Sequence, residues 1–90
     1  MKTLPETFRS GGFEHTLERR EGDVAVYRRQ RIGLEDVHYE VVRIKSHNGF
    51  TIAGKTFPPA ETYPTSEEWG TRGWTFNDEA KAKAKFSLLA

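Results

Sequence analysis

Three histidines, His15, His38 and His47, are the side chains whose ordinary ionisation falls nearest neutral pH. A structural zinc ion needs three or four ligands converging on one point, often two of them one helical turn apart. No histidine pair here has that spacing and no HExxH run occurs. The three fall on or beside different expected strands, so they read as ordinary strand and turn residues and no metal site is expected. The chain has no Cys and no GxSxG, so it lacks the recognisable forms of an activated nucleophile. The adjacent acids Glu35 and Asp36 lie in a polar stretch that reads as a solvated turn. Gly70 and Gly73 flank Thr71-Arg72 without the Gly-Lys-Ser/Thr of a phosphate loop. The chain is therefore read as non-enzymatic, with no catalytic residue and no cofactor.

Two groups of residues carry binding chemistry instead. Tyr27, Arg29 and Arg31 alternate along one stretch and would share a strand face, with Arg28 beside them and Arg43 and Lys45 on the next strand. Guanidinium groups beside an aromatic ring can stack on bases or hold phosphates. The plainer reading is a solvated sheet face whose cations pair with Glu14, Glu18 and Glu40. The second group is the block from Ser66 to Phe76, with Trp69, Trp74 and Phe76 separated by Gly70 and Gly73. Rings of that size first suggest core, and tryptophan is also enriched where proteins bind each other. Trp74 is expected to be buried and Trp69 to be the more exposed. Trp69 and Arg72, with Tyr27, Arg29, Arg31 and Arg43, form the expected partner-binding set.

Some elements must position these groups. Residues 13–20 alternate Phe13, His15 and Leu17 against Glu14, Thr16 and Glu18, the period of a half-buried strand. Residues 24–32 and 37–47 follow as strands, the latter apolar on both faces and hence central. Asn48-Gly49 suits a type I′ turn and predicts a hairpin to a fourth strand over 50–57, ended by Pro58-Pro59. Thr65-Ser-Glu-Glu68 has the form of a capping box opening a single helical turn. Asn77 is the expected N-cap of a final helix, because Ala and Lys favour helix over strand. On that helix Ala82, Phe86 and Leu89 form the stripe that faces the sheet. The fold class expected is α+β: a four-stranded antiparallel meander, a short helical turn, and a C-terminal helix packed on one face. Leu17, Val24, Val26, Val41, Ile44, Ile52, Trp74, Phe76 and Phe86 are the expected core.

Composition bounds the rest. Fourteen Lys and Arg against thirteen Asp and Glu leave a net charge of +1, which argues against an acidic DNA mimic and weakens the case for a dedicated nucleic-acid binder. Ninety residues at 36% hydrophobic content support one modest core. One domain over 13–90 is expected, behind a flexible lead-in over 1–12 that holds Pro5, Ser10, Gly11 and Gly12. The lead-in lacks the apolar stretch of an export signal, and nothing approaches the roughly 18 apolar residues of a membrane span. With no Cys, a cytoplasmic setting is expected. Dimerisation through an edge strand or the exposed helix stripe is a further expectation.

Asn48-Gly49, the return through Gly54-Lys55-Thr56-Phe57-Pro58, then Pro64-x-x-Glu67-x-Trp69-Gly70 and Gly73-Trp74-Thr75-Phe76 before an Ala-rich helix together resemble small accessory proteins of phages and prophages over about residues 37–86. The resemblance implies a non-enzymatic protein that binds and inhibits or modulates a host protein, anti-CRISPR and anti-restriction inhibitors being members of that population. It supplies no catalytic residues. A small RNA- or DNA-binding module using the Tyr27/Arg29/Arg31 face is the alternative.

Overall fold

The computed structural model describes residues 2–90. It is an α+β fold dominated by antiparallel sheet. The strands are β1 (Thr7–Ser10), β2 (Phe13–Glu21), β3 (Val24–Arg31), β4 (Val37–Arg43), β5 (Lys45–His47), β6 (Phe50–Ile52), β7 (Lys55–Phe57), β8 (Ala60–Thr62) and β9 (Gly73–Phe76). A 3-10 turn covers Ser66–Glu68 and the helix α1 covers Glu79–Leu89. The main sheet has five strands in the order β1-β2-β3-β4-β9. Two small pairs, β5 with β8 and β6 with β7, stand outside it.

The expected four-stranded meander is corrected at both ends. Residues 1–12 were expected as a flexible lead-in; Met1 lies outside the described residues, but the rest is tied down. Gly11 and Gly12 have φ of 58° and 81°, the paired positive values of a two-residue hairpin turn, so β1 folds back on β2. Lys2 bridges Ala60, and the Leu4 amide donates to Glu61 Oε1 at 3.0 Å. The second correction concerns Asn48-Gly49. It joins β5 to β6, which do not pair with each other. The tight turn lies five residues later, at Ala53 (φ 50°) and Gly54 (φ 79°). Residues 50–57 thus fold on themselves, and the fifth strand of the sheet is β9, paired with β4. Ile52, expected in the core, is 61% exposed.

The sheet has a core on each face. Val24, Val26 and Val41 meet Ala82 and Phe86 of α1, with Tyr39, Phe76 and Leu89 around them. On the opposite face Ala25, Tyr27, Val42 and Ile44 pack under Leu4, Phe8, Leu17, Tyr63 and Trp69. An irregularity in β2 between Leu17 and Arg19 lets the two sides be served in turn. Leu17 opposes Tyr27, while Arg19 opposes Val26 and lays its guanidinium 5.1 Å from the Phe86 ring centre. One extra residue reverses the alternation, as a bulge does. The helix forms as expected, with Ala82 and Phe86 buried, but its N-cap is Asp78 and not Asn77: the Asp78 carboxylate accepts from the Ala80 amide at 2.8 Å. The Thr65–Glu68 capping box is present.

Trp74 and Phe76 do point to the helix side, opposite Val41 and Tyr39. Trp74 is nonetheless only half-buried, with Lys85 Nζ 4.2 Å from the ring centre, and Trp69 is half-buried too. The expected contrast between a buried Trp74 and an exposed Trp69 is not found, because Trp69 roofs the second core.

Candidate functional site

Glu40 is the centre of the helix-free face. It sits in β4 among Tyr39, Val41 and Val42, and strand alternation places it on the side of Val42. Only 4% of it is exposed. A carboxylate buried that deeply must be met by donors, and four converge on it. Its Oε1 accepts from His15 Nε2 at 3.2 Å and from the Tyr63 hydroxyl at 2.7 Å. Its Oε2 meets Arg29 Nη1 at 3.2 Å and accepts from the Thr75 hydroxyl at 3.4 Å. Thr75 is oriented in turn by Trp69, whose Nε1 donates to its Oγ1 at 3.0 Å. Three hydrogen bonds and the Arg29 ion pair thus surround the two oxygens of one carboxylate. Burial pushes the Glu40 carboxyl up, but hydrogen bonds from His15 and Tyr63 and the charge of Arg29 outweigh it and hold it below its ordinary range. Burial and the adjacent Glu40 charge push the Tyr63 phenol up, so it stays protonated as a donor.

Aromatic rings enclose these polar groups. Phe8 stacks flat on His15, with centroids 4.5 Å apart, and Tyr63 meets His15 edge-on at 5.7 Å. The Arg29 guanidinium lies 4.4 Å from the Phe13 ring centre and that of Arg31 lies 5.1 Å from it. Nε2 faces Glu40, and among the described residues His15 Nδ1 has no hydrogen-bond partner. Arg29 Nε is likewise buried without one. Above this floor opens a cleft of about 350 Å³, walled by Phe8, Phe13, Tyr63, Pro64 and Trp69.

The structure brings together only part of the expected set. Arg29 and Trp69 line the cleft, and Arg31 stands beside it over Phe13. Tyr27 does not belong to an open arginine face: it is 1% exposed, and its hydroxyl donates to the Pro5 carbonyl at 3.1 Å. Arg72 is buried in a structural role, donating to the Glu68 carboxylate and, through Nη2, to the Arg43 carbonyl at 2.9 Å. Arg43 sits away from the cleft, 3.8 Å from Asp23. Sequence reasoning missed His15, Glu40, Tyr63 and Thr75 as one group. The signal was Glu40 itself, a charge inside the most apolar strand of the chain, which calls for buried donors.

A second feature is the β6–β7 hairpin. Phe50 opposes Phe57 and Ile52 opposes Lys55, so these four share one face and Thr51 and Thr56 the other. Phe50 and Phe57 stack at 4.8 Å, with His47 at 4.9 Å from Phe50. Phe50 is 42% and Phe57 41% exposed, and neither joins a core cluster among the described residues. Residues 45–59 contain Lys45 and Lys55 and no acid.

No helix among the described residues is long and apolar enough to cross a membrane. Compared with protein-family models, with curated proteins and with solved structures, the chain gives no match.

Proposed function

We propose that the chain is a non-enzymatic binding protein that docks on another protein through its β6–β7 hairpin. The observation that carries this reading is the apolar face of Phe50, Ile52 and Phe57, held outside both cores. An isolated two-stranded hairpin is marginally stable in water, and an unpartnered aromatic face is the composition of a binding hot spot. Lys55 stands on that face and residues 45–59 contain no acid, so the complementary surface is an apolar groove with a carboxylate at its rim. A host or defence protein in the bacterial cytoplasm, inhibited or modulated by this contact, is the partner that the resemblance to phage accessory proteins suggests. The nucleic-acid alternative has less support, since Tyr27 is buried and Arg29 pairs with Glu40.

The test is affinity capture from nuclease-treated bacterial lysate, followed by reconstitution with the purified catch. Wild type and Arg31→Gln should retain the same protein, and Ile52→Ser with Phe57→Ser should lose it. A catch that vanishes with nuclease or with Arg31→Gln would favour nucleic acid instead. A doubled mass in sedimentation, lost in the hairpin variant, would identify the partner as a second copy of the chain.

A further inference from the structure

We propose that the cleft above Arg29 and His15 binds an aromatic carboxylate, a site separate from the hairpin and independent of its role. Three observations define the ligand. First, the cleft volume, about 350 Å³, lies in the range that holds a small organic molecule, and its walls are mostly rings, Phe8, Phe13, Tyr63 and Trp69, which suits a flat apolar body.

Second, the charge of the site favours an anion. Both oxygens of Glu40 are already committed to His15, Tyr63, Arg29 and Thr75, leaving that carboxylate nothing to offer a cation. Arg29 offsets Glu40. Arg31, on the same face two residues along β3, pairs with no carboxylate among the described residues. One positive charge therefore stands unmatched outside the cleft's own lining, 5.1 Å from the ring centre of Phe13, which is one of the cleft walls. A guanidinium fork matches a carboxylate, and the ring walls favour an aromatic acid over inorganic phosphate, which has no apolar body to bury against them.

Third, the floor is incompletely satisfied. His15 Nδ1 and Arg29 Nε are both buried without partners, and both belong to residues that line the cleft. Native interiors leave few buried polar atoms unpaired, so two of them in one cleft floor call for a partner from outside the chain. Rings that tighten around a bound aromatic acid would exclude water from the Arg31 contact and strengthen it.

The experiment titrates the whole chain with indole-3-acetate, its neutral amide and inorganic phosphate, read by amide chemical shifts in two-dimensional NMR. Indole-3-acetate should shift resonances of residues 8, 13, 15 and 69, while the amide and phosphate bind at least several-fold more weakly. Arg31→Gln, a change at an exposed position that the fold tolerates, should weaken the acid about tenfold, the equivalent of one charge-assisted contact, and leave the amide unchanged. Equal binding of acid and amide, equal binding of phosphate, indifference to Arg31→Gln, or no binding by any probe would each overturn the proposal. Ile52→Ser with Phe57→Ser should leave this titration unchanged, so failure here and failure of hairpin docking are distinguishable.

Discussion

The Trp69 ring lies flat against the backbone of Gly73: a Cβ at residue 73 would stand 2.5 Å from Trp69 Cζ3. The two residues also form a bridge, and the Gly70 amide donates to the Gly73 carbonyl at 2.7 Å, so the loop between them closes on its own ring. Trp69 thereby roofs the second core and reaches Thr75 with its Nε1. Gly73→Ala should expel the indole and cost about 1–3 kcal/mol, the usual range for overpacking. Urea denaturation checks this, and an unchanged midpoint would show that the ring moves freely. Trp69 fluorescence should become more accessible to acrylamide in the variant.

Tyr63 and Glu40 make the shortest bond of the buried cluster, at 2.7 Å. Tyr63→Phe removes one donor from a carboxylate that water does not reach, at about 1–3 kcal/mol. Glu40→Leu removes the carboxylate from four donors and leaves Arg29 without its partner, at about 3–5 kcal/mol. The order of the two variants in urea is the decisive reading, and a milder effect at Glu40 would refute its central place.

Glu61 governs the response to acid on the N-terminal side. Arg20 donates to both of its oxygens, at 2.8 and 2.6 Å, and the Leu4 amide adds a third bond. The paired Arg20 first, and then the Leu4 amide, lower its pKa from 4.5 to about 2. A pKa depressed in the folded state gives stability that is fully present above the unfolded value of 4.5 and is lost as pH falls toward about 2. Glu40, also depressed, adds to the same trend. Melting temperature measured from pH 6 to pH 2 should fall more steeply for wild type than for Glu61→Gln, the two curves converging at the acid end.

Ala53 holds a φ of 50° at the hairpin tip, where a side chain is costly. Ala53→Gly should relieve that strain and slow amide exchange at Ile52 and Lys55, the hydrogen-bonded pair that flanks the turn, by about 0.5–1 kcal/mol of local stability. Gly49→Val should destabilise as well, but not through a hairpin turn. Gly49 has a φ of 96°, and a Cβ there would stand 3.0 Å from the Phe57 carbonyl. Protection of Ile52 and Lys55 that is identical in wild type and Ala53→Gly would show that the turn carries no strain.

Much of this architecture was written in local patterns. The alternation of residues 13–20 and 24–32, the twin apolar faces of 37–43, the Thr65–Glu68 box and the Ala82/Phe86 stripe follow from side-chain period and backbone propensity, which depend on neighbours in sequence. The same local reading failed where two candidate turns competed. Asn48-Gly49 is the better hairpin dipeptide by residue type, yet Ala53-Gly54 makes the tight turn, because β5 is claimed by β8 and β6 by β7. Gly11-Gly12 was legible as a breaker but not as a turn, since β1 needs β2 to pair with. The candidate site lay further out of reach. His15, Arg29, Glu40, Tyr63 and Thr75 come from separate parts of the chain, and only sheet order places them on one carboxylate. The α+β class, the central strand and the helix could be read from residue order, because these rest on periodicity. Which arginine is buried, which tryptophan roofs a core and which acid is saturated were decided by the tertiary structure alone, because burial and pairing are properties of residues distant in the chain and adjacent in space.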